Sequence, residues 1–406
     1  MSDAASRIVI VGAGHAGGSA AALLRQFGFE GKITVVGEEP LAPYQRPPLS
    51  KAWLKGEADG ESLLLRPESF YPEQAIDLRL RTRVTAIDRA AKAVTLQGGE
   101  RLAYDVLILA TGSNARKLPI PGANDPAILE LRTAAEADRL KAVLAPGKRL
   151  IIVGAGYIGL EVAASARALG CEAVVVEREA RVLPRVASEP LSTFFERYHR
   201  ARGVEILTRA AATTIDAAAN SVALADGRVI EGDAVLVGVG AVACEALATA
   251  AGLVCHGGVV VDEAARTSDP AIYAIGDCTR RPLPFYGVSL RLESVPNALE
   301  QAKQAAAAIC GKPPPAPETP WFWSDQYDLK LQIAGVSLDP DRLVVRGDSE
   351  ANHFAVFHLR GGRVLAVEAV NAPAEFMAGK VLITKSREVD ANRLADIDLP
   401  MKTFLA

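Results

Sequence analysis

Apolar residues open this chain as an unbroken run, IVIV at 8–11, continue at helical spacing through an alanine-rich stretch that stops at Gly28, and resume as a second run, ITVV at 33–36. Short continuous apolar runs bounded by turns predict strands buried on both faces, and the 3.6-residue spacing between them predicts a helix. Strand, glycine turn, helix and strand in this order open a doubly wound α/β fold. The pattern returns at 149–177, where RLIIVGAGYIGLEVAASARALG leads into CEAVVVE, and further β-branched runs lie in YDVLILATG (104–112) and DAVLVGVG (233–240). Beyond residue 244 come a strand, GGVVVD, a loop ending in IYAIGDC, and a helix, NALEQAKQAAAAICG, broken by the proline cluster KPPPAPETP, which reads as a linker. Past the linker, DRLVVRG, HFAVFHLRGG and RVLAVEAVN alternate and predict a small, mainly antiparallel sheet closed by a helix near Ala374 to Thr384. The expected fold class is α/β: two Rossmann-like dinucleotide-binding domains, the first discontinuous (1–117 and 242–320) and the second at 118–241, then a small α+β C-terminal domain (321–406).

Composition narrows the function. Half of the 406 residues are apolar, enough for large cores. A charged fraction of 23% and a net charge of -3 announce neither a nucleic-acid surface nor a polybasic membrane patch. The start lacks a basic stretch leading into a long apolar core, and no apolar run is long enough to span a bilayer, so a cytoplasmic protein is expected. The five cysteines, Cys171, Cys244, Cys255, Cys278 and Cys310, form no CxxC pair, which argues against a disulfide framework or a metal site.

The glycine turns carry the chemistry. Gly12, Gly14 and Gly17 permit a tight turn and close approach of a pyrophosphate, which the N–H groups and partial positive charge of the following helix receive. An acid is then needed for ribose hydroxyls, and Glu38 or Glu39 arrives at the expected distance. The second turn offers Gly154, Gly156 and Gly159, with Glu177 closing its second strand. One such turn alone can merely serve close packing; two, each with strand, helix and acid, predict two dinucleotides in one chain and electron traffic between them. Elsewhere plain readings compete with functional ones. Ser50 in RPPLSK reads as a helix cap, Lys51 as an exposed cation, Glu161 as an acid near a positive helix end, and Asp277 as a turn residue after Gly276. Pro296 suits the first turn of a helix whose free N–H groups lie near Val295. Trp321 and Trp323 read plainly as one exposed and one core position of a strand.

Over essentially its whole length the chain resembles the FAD-dependent NADH:ferredoxin reductases of glutathione-reductase-like fold. The resemblance rests on IVIVGAGHAG, PYQRPPLSK, ESLLLR, YDVLILATG, IIVGAGYIGLEVAA, AIGDC, ESVPNALEQA and PWFWSDQY. It implies FAD held by Gly12, Gly14, His15, Ala16, Gly17, Glu38, Glu39, Arg46, Lys51, Val84, Ala110, Thr111, Gly112, Arg132, Asp277, Glu293, Ser294, Val295 and Trp323. It implies NADH held by Gly154, Gly156, Tyr157, Ile158, Gly159, Glu161, Glu177, Arg185 and Gly240, with Glu177 disfavouring a 2′-phosphate and Arg178 and Arg185 softening that preference. Lys51 and Glu161 become an ion pair beside the flavin N5 that positions the nicotinamide. The segment LAPYQRPPLSKAW has no cysteine where disulfide reductases of this fold carry a redox pair, so electrons are expected to leave from the flavin itself. The implied partner is a small acidic 2Fe-2S ferredoxin serving a cytochrome monooxygenase or aromatic dioxygenase, docking on a basic face drawn from Arg66, Arg280, Arg281, Arg291 and Lys312, with the reductase a monomer. Competing readings are a rubredoxin reductase, an NADH oxidase, or an NADH-sensing flavoprotein module.

Overall fold

The computed structural model describes residues 5–405. In chain order, β1 (Arg7–Val11), α1 (His15–Gln26) and β2 (Lys32–Val36) are followed by β3 (Ile76–Arg79), a meander of β4 (Val84–Asp88), β5 (Ala93–Leu96) and β6 (Arg101–Ala103), and β7 (Val106–Leu109). The series then repeats as β8 (Arg149–Val153), α2 (Tyr157–Ala168), β9 (Glu172–Val176), α3 (Glu189–Ala201), β10 (Val204–Leu207), a second meander of β11 (Ala212–Asp216), β12 (Ser221–Leu224) and β13 (Val229–Glu231), and β14 (Ala234–Val237). The chain continues through β15 (Ile272–Ala274) and α4 (Val295–Ile309). It ends with β16 (Trp321–Gln326), β17 (Leu329–Gly335), β18 (Arg342–Asp348), β19 (His353–Arg360), β20 (Arg363–Val370) and α5 (Pro373–Thr384).

Internal contacts divide the chain into two compact units. The first comprises the described residues up to Arg46, with 59–114 and 242–318, the second residues 47–58, 115–241 and the described residues from Thr319 on. This partition differs from the expected three domains at two places. The twelve residues Pro47–Ala58 belong to the second unit, and the C-terminal sheet shares that unit with the second glycine turn.

In the first unit, a parallel sheet runs in the order β15-β7-β1-β2-β3. Alternate residues of its strands point to opposite faces. Ile8, Ile10, Ile33, Val35 and Ile108 join a core with α1 and α4, and Val9, Val11, Val36, Leu107 and Leu109 join a core on the other side. Ala20, Ala21, Ala302, Ala305 and Ala306 keep the helix-side core thin, which lets backbones approach closely. In the second unit, the parallel sheet β10-β9-β8-β14 is the counterpart of the first, and the C-terminal sheet β16-β17-β20-β19-β18 is antiparallel throughout. Glu368 on β20, buried, accepts from the backbone N–H of Ser188 at 2.8 Å and from its hydroxyl, tying that sheet to the N-terminus of α3.

The duplication reaches the meanders. Pairing slips between Val84 and Ala86 in the first and between Ala212 and Thr214 in the second. Lys92 and Asn220 both turn at φ 47°, and Gly99 and Gly227 at 91° and 87°. The meanders went unread in the sequence, although the turn dipeptides Gly98–Gly99 and Asp226–Gly227 between apolar runs are hairpin signals.

Candidate functional site

At the first turn, Gly12 has φ +112°, and a Cβ there would sit 2.2 Å from the carbonyl oxygen of Ala110. Gly154 in the second turn has φ +110°, with the carbonyl oxygen of Gly238 at 2.4 Å from the same point. Only glycine fits either position. Gly14 caps α1 and Gly156 caps α2; neither cap receives a side-chain hydrogen bond, and neither helix has an acid in its first turn. A Cβ on Gly156 would meet nothing within 4 Å, and one on Gly14 only Arg46 Nη2 at 3.9 Å. Free helix N–H groups, no acid in either first helical turn and open space above the cap fit a pyrophosphate at both turns.

Around the first turn, His15 begins α1 with its Nδ1 buried and unpartnered. Burial pushes its pKa down, and Asp277 opposes that shift. An orphaned buried polar atom at the mouth of the turn also fits a nucleotide. Ala16 and Gly17 are buried in α1, where a Cβ on Gly17 would strike the carbonyl oxygen of Gly12 at 1.9 Å. Ala110 and Gly112 flank Thr111, whose hydroxyl donates to the Cys244 carbonyl at 2.7 Å. Asp277 is half-buried and accepts from Ser113 Oγ at 3.0 Å, a partner that sequence reasoning missed. The two candidate acids separate: Glu38 is exposed and paired with Arg83 at 2.9 Å, whereas Glu39 takes Arg46 at 2.6 Å and the Tyr44 hydroxyl at 2.5 Å. Val84 is half-buried at the slip in β4. Ser294 caps α4 by accepting from the Asn297 N–H at 3.2 Å, with Pro296 in the first turn after Val295; exposed Glu293 pairs with Arg291.

The second turn differs in one respect. Glu177, buried, turns its carboxylate back onto the backbone, accepting from the Ala155 N–H and the Glu179 N–H at 2.9 Å each. The corresponding place in the first turn is Gly37, where a Cβ would lie 2.4 Å from that of Ala13. Arg178 is drawn to Glu179 at 3.0 Å. Arg185 lies against Val239 and Gly240, 3.4 Å from the Val239 carbonyl, so two expected residues meet. Ile158 is exposed on α2; Tyr157 beside it donates to the Val186 carbonyl and packs on Phe322 at 4.8 Å. Arg132 sits half-buried at a capping box, its N–H donating to Glu136 at 2.7 Å.

Lys51 and Glu161 come together within the second unit. Lys51 Nζ lies 2.6 Å from Glu161 Oε2, and Glu161 is 2% exposed. Ser50 donates to the same oxygen at 2.5 Å, and Ser324 Oγ donates to Oε1 at 2.6 Å. Ser50 therefore does not cap the helix Ala52–Lys55, whose cap position is Lys51. Its hydroxyl instead helps satisfy a buried carboxylate, where an unmet acceptor costs more than an unmet exposed N–H. Ser165 Oγ holds the Ser50 carbonyl at 2.7 Å. Trp321 and Trp323 are not one core and one exposed residue: both are half-buried with ring centroids 5.5 Å apart, because residues two apart on a strand share a face.

The expected basic face loses a member. Arg281 is 4% exposed and paired with Glu300 at 2.7 Å, so it holds α4 rather than facing solvent. Arg66 and Lys312 are exposed, and Arg280 and Arg291 half-buried. Among the described residues, no group of His, Cys, Asp or Glu is arranged to hold a metal ion, and no helix is long and apolar enough to cross a membrane.

Two dinucleotide cradles in one chain, the second beside an ion pair whose carboxylate is buried, define an oxidoreductase that works with FAD and NAD(H). Residues 6–302 match the family described as pyridine nucleotide-disulphide oxidoreductase and residues 321–405 match a reductase C-terminal domain; the chain belongs to this family. It is 52% identical over 398 residues to a probable ferredoxin reductase of Castellaniella defragrans, covering 97% of each chain. It is 43% identical over 412 residues to the putidaredoxin reductase of Pseudomonas putida, covering 100% of this chain and 98% of that one. Among solved structures, that of a covalent putidaredoxin reductase–putidaredoxin complex superposes with a TM-score of 0.97 at 42% identity over 99% of both chains.

Proposed function

We propose that the protein is a cytoplasmic, NADH-dependent ferredoxin reductase that carries FAD and reduces a small 2Fe-2S ferredoxin serving a monooxygenase or dioxygenase. The Lys51–Glu161 pair, with its carboxylate buried, carries the reading, since an ion pair engaged by Ser50 and Ser324 is built to orient rather than to exchange protons. When bound, FAD accepts a hydride and releases electrons singly, which suits it to stand between a nicotinamide and a one-electron cluster.

The chain's own residues supply the rest. The uncapped N-terminus of α1, with Gly12, Gly14, His15 and Gly17, takes the FAD pyrophosphate, and Asp277 with Glu38 or Glu39 takes its hydroxyls. The start of α4 near Val295 offers its positive end to the flavin. The N-terminus of α2, with Gly154, Gly156 and Gly159, takes the NADH pyrophosphate, and Glu177, Arg185 and Gly240 line its adenosine side. Lys51 and Glu161 fix the carboxamide end of the nicotinamide. All five cysteines are free, and none lies in the 41–53 segment, so no dithiol there intervenes between nicotinamide and acceptor.

Stopped-flow mixing of the purified flavoprotein with NADH or NADPH tests this. Rapid bleaching of the flavin by NADH, with NADPH slower, and rapid reoxidation by a 2Fe-2S ferredoxin are expected. Reoxidation by rubredoxin or oxygen faster than by any ferredoxin would replace the acceptor in this reading. A reduced state that no carrier discharges would point to a sensor.

A further inference from the structure

Glu161 is the end of a longer buried chain of hydrogen bonds. Ser324, donor to Glu161 Oε1, accepts from Gln326 Nε2 at 3.1 Å. Gln326 Oε1 lies 2.7 Å from His199 Nε2 on α3, and His199 Nδ1 lies 3.3 Å from the Tyr327 hydroxyl. Ser324 and His199 are 0% exposed, and Gln326 is 1% exposed.

The direction of every bond follows from the carboxylate. Because Glu161 can only accept, the Ser324 hydroxyl must donate to it, and its lone pair then requires the amide N–H of Gln326. That orientation aims the Gln326 carbonyl at His199, which must carry its proton on Nε2. Nδ1 is left as the acceptor for the Tyr327 hydroxyl. Burial lowers the His199 pKa to about 4, so the ring stays neutral at working pH and keeps one donor and one acceptor, as the chain requires. A buried polar series of this length is costly unless complete, and an apolar filling of the same volume would hold β16 against α2 and α3 at no loss of stability.

We infer that Ser324, Gln326 and His199 are positioning residues for the reducing site: they hold Glu161 Oε1 from the side opposite Lys51 and so fix the ion pair that orients the nicotinamide. This rests on the function proposed above. The C-terminal sheet is thereby part of the hydride-transfer geometry. Without the Gln326 amide, the Ser324 hydroxyl is free to rotate, Oε1 loses its donor, and the carboxylate tilts toward Lys51.

The test uses the full-length FAD-loaded protein and the variants Ser324→Ala, Ser324→Thr and Gln326→Leu. For Ser324→Ala and Gln326→Leu, flavin bleaching at saturating NADH is expected to slow by about tenfold, with the apparent Kd for NADH changed by less than about twofold. Ser324→Thr, which keeps the hydroxyl, restores the rate to within about threefold of the parent. Should Gln326→Leu fail to retain FAD, the two Ser324 variants decide the matter. A second readout is independent of the reaction: nitrogen-15 NMR of the histidine rings should show His199 as the Nε2–H tautomer, its proton protected from exchange until Gln326 is replaced. Parental rates in the Ser324→Ala protein, a Ser324→Thr protein as slow as Ser324→Ala, or an Nδ1–H tautomer at His199 would each overturn the inference. A parent protein that NADH does not reduce would instead sink the proposed function, leaving the hydrogen-bond chain to stand or fall on the NMR result.

Discussion

Glu177 is the obvious target for turning the proposed NADH preference toward NADPH, and its geometry says the attempt will fail. Glu177→Gln removes the charge that repels a 2′-phosphate, but it also leaves one carbonyl oxygen where two carboxylate oxygens each hold a backbone N–H at 2.9 Å. The amide keeps one of these bonds and turns its NH2 group on the other N–H, donor against donor. Losing one charge-assisted hydrogen bond and stranding a donor in a buried site costs about 2–4 kcal/mol. Local opening of the second glycine turn should become easier by that amount, so amide hydrogen exchange in residues 150–160 should quicken about 30- to 1000-fold. In kinetics, the KM for NADH should rise and NADPH turnover should gain nothing. Exchange in that peptide within about threefold of the parent, together with improved NADPH turnover, would refute the reasoning and leave Glu177 as a simple charge filter.

Acid should act through His199. Its folded pKa, about 4, lies below that of the unfolded chain, so as pH falls from about 6.5 to 4 only the unfolded state takes up the proton and stability drops by about 3 kcal/mol; thermal melting of a His199→Gln variant should lack that part of the slope. Arg66→Glu and Lys312→Glu should raise the apparent KM for ferredoxin about tenfold at low salt while turnover with a small dye is unchanged. Arg281→Glu, a buried position facing half-buried Glu300, should instead lower the melting temperature and both activities together. Gly37→Ala forces its new methyl against Ala13, and the flavin-to-protein ratio of the purified variant should fall, with FAD bound at least about tenfold more weakly.

The glycine turns, the strands around them and the capped helix at Val295 were legible because each is a local pattern: an apolar run, a residue without Cβ, a proline in a first turn. The pairing of Lys51 with Glu161 was not local. Between them lie more than a hundred residues, and only resemblance placed them together. Ser324 and Gln326 left a signal that went unused, since in WFWSDQ they occupy the buried face of a strand where an apolar pair is expected. Polar residues at inward positions point to a buried acceptor somewhere in the fold, though not to which one. Ser113 and Arg83 left no signal at all, and Arg281 misled because an arginine in a short strand looks the same in sequence whether it faces water or an acid on a neighbouring helix.

The two glycine-turn repeats are unequal in one connection. From β2 to β3 the chain runs through residues 37–75, but from β9 to β10 it needs only 177–203, twelve residues fewer. Twelve residues is also the length of Pro47–Ala58, the stretch that carries Ser50 and Lys51 and packs with the other unit. The molecule is therefore less modular than its duplication suggests. A gene cut between the repeats, or a chimera that borrows only the second cradle and the C-terminal sheet from this protein, would leave Glu161 without Lys51 and Ser50. Any recombinant exchange of the second glycine-turn half has to carry this loop along with it, although the loop is encoded a hundred residues upstream.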